Sequence, residues 1–79
     1  MSSLKGLKYG YNEGMEFSSR LKELRQEKGL SQMQLAKATG ISQSAIAKWE
    51  TGRTEPTASA LLTLAEYFGE TADYLLGRE

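Results

Sequence analysis

Histidine is missing from this 79-residue chain, and so is cysteine. Without histidine there is no imidazole to act as general base or metal ligand, and no side chain that ordinarily switches charge near neutral pH. Without cysteine there is no disulfide framework and no thiolate metal site. No apolar run approaches the roughly 18 residues that span a bilayer, and no secretory apolar region is visible. No glycine-rich phosphate cradle is present, and no pair of carboxylates is spaced for a shared site. Glu23 and Glu27 are an exposed i,i+4 pair beside Lys22 and Lys28. These absences argue against an enzyme, a metal or cofactor protein and a membrane partner. They lead to the expectation of a soluble, cytoplasmic chain.

At this length one small domain is expected, burying only roughly 60% of its unfolded surface around a thin core. No separate small-molecule-sensing domain is expected within these 79 residues. Ten basic residues balance ten acidic ones, yet they are not evenly spread. Residues 17–54 hold seven basic and three acidic side chains, whereas residues 55–79 hold one basic and five acidic. A polyanion would be drawn to the first stretch and repelled by the second.

Residues 1–16 have no apolar period and no clear helix cap, and read as a flexible arm ahead of a folded domain at 17–79. Tyr9 and Tyr11 in that arm invite a base-stacking role, with an unstructured arm as the simpler reading. Beyond the arm, the apolar spacing predicts helices over about 17–28, 32–39, 43–51, 58–68 and 72–76. Each of Gly29, Gly40, Gly52, Gly69 and Gly77 falls where one of these segments stops. Ser31 and Gln34 form a capping-box pair, Ser42, Thr57 and Thr71 are N-cap types, and the single proline, Pro56, sets the entry to the fourth segment. No strand pattern competes. The expectation is an all-α, compact five-helix bundle. Its core is drawn from Leu21, Leu24, Leu30, Leu35, Ala36, Ile41, Ile46, Trp49, Leu61, Leu64, Ala65, Phe68, Tyr74 and Leu75.

Very few residues join the second and third segments around Gly40, which forces the two helices to cross steeply as in a helix-turn-helix. Ala36 is small enough for the close approach, and Gly40 tolerates the turn. Leu35, Ile41, Ile46 and Trp49 would anchor the third segment, leaving Gln43, Ser44, Ala47 and Lys48 to project outward. Such a face suits a recognition helix in the DNA major groove. The plainer reading of the same side chains is a solvated polar face.

The stretch "LSQMQLAKATGISQSAIAKWETGRTEP" resembles the helix-turn-helix of the lambda-type phage repressors and Cro proteins, the Xre family. The resemblance covers about residues 17–77 and includes the closing "ADYLLG". It implies a lambda repressor-like fold and sequence-specific binding of double-stranded DNA by a transcriptional regulator, a repressor by expectation. It also implies residue roles. Gln43, Ser44 and Lys48 match base-reading positions, and Gln32 and Arg53 match phosphate-contacting ones; Ser42, at the start of the third segment, is a further expected phosphate contact. Arg25 and Glu50 match a buried ion pair that ties the first helix to the end of the third. Thr39 departs from the family, which carries an apolar residue there, and its hydroxyl needs a partner.

A domain this small makes few contacts, so useful specificity calls for a homodimer on two half-sites about 34 Å apart. Tyr74, Leu75 and Leu76, with Leu62, are the expected dimer surface. The competing functional class is an antitoxin-like or adaptor module whose main partner is a protein, which the neutral net charge and acidic last third would suit.

Overall fold

The computed structural model describes residues 13–78, and these form five helices with no strand among them. They are α1 (Glu13–Glu27), α2 (Gln32–Thr39), α3 (Gln43–Glu50), α4 (Ala58–Phe68) and α5 (Ala72–Leu75). α1 begins at Glu13, so residues 13–16, expected in the arm, are helical. Within this helix Glu16 and Arg20 lie one turn apart, with Arg20 Nε 3.7 Å from Glu16 Oε2. The remainder of the expected arm, with Tyr9 and Tyr11, lies outside the described residues. No helix among the described residues is long and apolar enough to cross a membrane.

The helix starts are built from side chains. The Gln34 backbone N–H donates to Ser31 Oγ at 3.0 Å, and the Ser31 N–H donates to Gln34 Oε1 at 2.8 Å, closing the capping box. Ser42, Thr57 and Thr71 accept in the same way from Ala45, Ala60 and Tyr74 at 3.1, 3.2 and 2.9 Å. Each bond satisfies one of the N–H groups that the first turn of a helix leaves unpaired.

The core is Phe17, Leu21 and Leu24 of α1, Leu35 and Ala36 of α2, Ile46 and Trp49 of α3, Leu64 and Ala65 of α4, and Leu75 of α5. Phe17 was not among the residues expected inside. It is buried with its ring edge-on to Trp49, centroids 6.1 Å apart. Leu30, Ile41, Leu61, Phe68 and Tyr74 pack against this centre but stay partly exposed. Leu75, expected both in the core and on a dimer surface, is fully buried within the chain and lies beneath any face a second copy could touch. A four-residue helix is not stable on its own, and the fully buried Leu75 anchors this one in the core.

Candidate nucleic-acid interface

Three residues separate α2 from α3, and Gly40 makes the reversal. Its φ of +80° lies in the left-handed region, and its N–H closes the end of α2 on Ala36 O at 2.8 Å. Thr39 completes the turn. Its hydroxyl donates to Leu35 O at 2.8 Å and accepts the Ile41 N–H at 3.3 Å. The hydroxyl that breaks the family pattern is therefore satisfied twice, and it staples the end of α2 to the residue that leads into α3.

The buried side of α3 is Ile46 and Trp49, with Ala45 partly covered. The opposite side presents Gln43, Ser44 and Lys48, all exposed, with Ala47 half-buried between them. Gln43, Ser44 and Lys48 have no side-chain partner among the described residues. Ser42 lies at the head of this face. Its oxygen is committed to the Ala45 N–H, so its own hydroxyl proton remains the group free to donate outward. At the other end, Gly52 N–H donates to Trp49 O and Arg53 N–H to Lys48 O, each at 3.0 Å. This closing pattern satisfies the last carbonyls of α3 and fixes the backbone of Arg53 directly behind the helix. The Arg53 side chain is exposed and unpaired among the described residues.

Behind the face, a buried polar cluster fixes where α3 ends. Arg25 of α1 donates through Nε to Glu50 Oε2 at 2.7 Å and through Nη2 to Glu50 Oε1 at 2.9 Å. Its Nη1 donates to Leu30 O at 2.7 Å, in the link between α1 and α2. Gln32, the first residue of α2, adds a bond from Nε2 to Glu50 Oε1 at 3.0 Å. The side chains of Arg25 and Glu50 are only 11% and 3% exposed, so the paired fork geometry is what offsets their loss of water. The hydrogen bonds to Glu50 hold the Arg25 guanidinium above its ordinary pKa, outweighing the opposing effect of burial. One carboxylate thus joins α1, the start of α2 and the end of α3.

The positions matched to DNA contact fall into two groups. Gln43, Ser44, Lys48, Ser42 and Arg53 sit on α3 or at its two ends and are exposed. Gln32 is half-buried with one amide N–H spent on Glu50, leaving its second N–H and its carbonyl oxygen. Sequence reasoning did not find this bond, because Gln32 and Glu50 are 18 residues apart and nothing local links them. Arg20 was also passed over. It donates from Nη1 to Tyr74 O at 2.9 Å, and its guanidinium lies 4.2 Å from the centre of the Tyr74 ring. Among the described residues no cluster of acidic side chains could hold a metal ion.

A family model described as helix-turn-helix matches residues 21–75. Among curated proteins, the HTH-type transcriptional activator BcrR of Enterococcus faecalis is 42% identical over 65 residues, covering 82% of this chain and 32% of that protein. The HTH-type transcriptional regulator AnsR of Bacillus subtilis is 45% identical over 60 residues, 76% of this chain and 52% of its own length. ImmR, another HTH-type transcriptional regulator of Bacillus subtilis, is 32% identical over 65 residues, 82% of this chain and 51% of its own. The chain thus spans about a third to a half of the length of these relatives. No solved structure matches it. The match from within α1 to the end of α5, the geometry of the α2–α3 turn and the shared identity with proteins named as transcriptional regulators agree: this chain belongs to the Xre/Cro-type helix-turn-helix family.

Proposed function

We propose that this chain regulates transcription in the cytoplasm by binding double-stranded DNA sequence-specifically, with α3 in the major groove. The observation that carries the reading is the division of α3: Ile46 and Trp49 are buried, while Gln43, Ser44 and Lys48 are exposed and have no partner among the described residues. Polar side chains left uncommitted on a helix whose other face is anchored suit base-edge contact. Gln pairs well with adenine N6 and N7, and Lys with guanine O6 and N7. Ser42, the free half of the Gln32 amide and Arg53 lie at the helix ends and flank this face, and serve as phosphate contacts. The N-termini of α2 and α3 add free backbone N–H groups and partial positive charge.

The DNA-bound form we propose is a homodimer. With Leu75 inside, its contact surface draws on half-buried Tyr74 and Leu76 and on Leu62, which is 60% exposed. Repression is the regulatory sense we favour, since occupying an operator needs only the DNA-reading face, whereas activation needs a further surface.

Selection of bound duplexes from a random pool, followed by sequencing, tests this. The expected result is a two-fold symmetric consensus with half-sites one helical turn apart. Failure to enrich any sequence would overturn specific DNA binding, and a single unpaired half-site would overturn the dimer alone.

A further inference from the structure

We infer that Arg20 is a positioning residue: through its clamp on Tyr74 it sets the orientation of α5 relative to the DNA-reading helix, and so the spacing of the two half-sites. The inference rests on the homodimer reading above, with α5 bearing part of the contact.

α1 is the strut between the two elements that matter. Towards α3 it offers two grips, Phe17 edge-on to Trp49 and the Arg25 fork on Glu50, the last residue of that helix. Towards α5 it offers Arg20. The Arg20 side chain is 15% exposed, with Nη1 bonded to Tyr74 O and the guanidinium carbon 4.2 Å from the centre of the Tyr74 ring. Glu16, one turn earlier, lies 3.7 Å from Arg20 Nε and backs the clamp. It also underlies Gly77, where an added Cβ would come within 2.8 Å of Glu16 Cβ, so the chain beyond α5 is pressed onto the first turn of α1.

Leu75 in the core and Tyr74 packed against it hold α5 by apolar contacts, which do not by themselves fix the tilt of a four-residue helix. Arg20 adds a directed bond and a cation over the ring, and a planar guanidinium fixes direction where a point charge does not. Tyr74 and Leu76, the half-buried residues of the proposed contact, flank Leu75 on that same short helix and its cap. A change in the tilt of α5 therefore changes the angle between two copies, and with it the distance between their α3 helices.

The test repeats the random-pool selection with the full chain carrying Arg20→Ala or Arg20→Lys, each first checked for helical content and a cooperative melt. Wild type is expected to enrich paired half-sites at one spacing. Arg20→Ala is expected to enrich the same half-site sequence at a spread of spacings. Arg20→Lys, which keeps the charge over the ring but loses the fork, is expected to fall between and decides the matter if Arg20→Ala does not fold. Spacing as sharp as wild type in the folded variants would overturn the inference, and so would a changed half-site sequence, which would make Arg20 a general support of the fold. Unpaired half-sites from wild type itself would overturn the dimer reading, and the inference with it.

Discussion

Gln43 begins α3 with its side chain in solvent, while three positions on Ile46 is completely buried. That contrast gives a substitution at Gln43 a clean expectation, since no packing is lost with it. Gln43→Ala should cost about 1–3 kcal/mol of operator binding and relax the preference at one base pair. Binding across a set of single-base operator variants measures this, and a profile identical to wild type would remove Gln43 from the readout. Arg53 should behave differently. It is an exposed cation fixed behind α3 by its backbone, so Arg53→Ala should weaken all duplexes evenly and lower the salt slope by about 1. Loss of affinity confined to the cognate sequence would instead mark Arg53 as a base reader.

Between elements, the cluster on Glu50 has the largest consequence. Removing Glu50 leaves the Arg25 guanidinium buried without its counter-charge and frees Gln32, so Glu50→Ala should lose about 3–5 kcal/mol of stability. A urea titration of the single variant against the paired change Arg25→Met with Glu50→Leu separates the pair's own worth from the penalty of orphaning one partner. The paired variant should recover most of the loss. If the single variant unfolds at the wild-type midpoint, the cluster does not govern the α1–α3 junction. The same contrast of local and distant interactions explains what could be read from the sequence. Helix starts and stops were visible because caps are local: Ser31 meets Gln34 three residues away, and Gly40 closes its own turn. The surface of α3 was visible because Ile46 and Trp49 share one side. Phe17 stands four residues before Leu21 and seven before Leu24, yet it opens the predicted 17–28 helix, where spacing alone does not distinguish a buried side chain from a frayed end. The third bond of Glu50, the Arg20 clamp and the double use of the Thr39 hydroxyl depend on which side chains meet in space, which spacing along the chain does not encode.

For the whole molecule, charge is the deciding quantity. The formal net charge is zero, so any attraction to DNA must come from its distribution: basic residues concentrate in 17–54 and acidic ones in 55–79. Several of those basic groups are already committed. Arg25 is paired with Glu50, Arg20 lies over the Tyr74 ring, and Lys28 lies 5.3 Å from the centre of the Tyr67 ring. Lys48 and Arg53 remain exposed and unpaired at the reading face. Binding to a random duplex should therefore be weak but clearly salt-dependent, since each neutralised phosphate contributes about −0.9 to the slope of log K against log salt. Lys48→Ala with Arg53→Ala should lower the magnitude of that slope by about 2, roughly one for each cation at the reading face, while exposed Lys22 and Lys37 stay in place. A fluorescence-anisotropy titration over a range of salt concentrations measures it. A flat slope in wild type would instead favour a protein as the main partner, with the acidic stretch as the surface to examine. A slope unchanged by the double substitution would mean that another face of the molecule meets the phosphates.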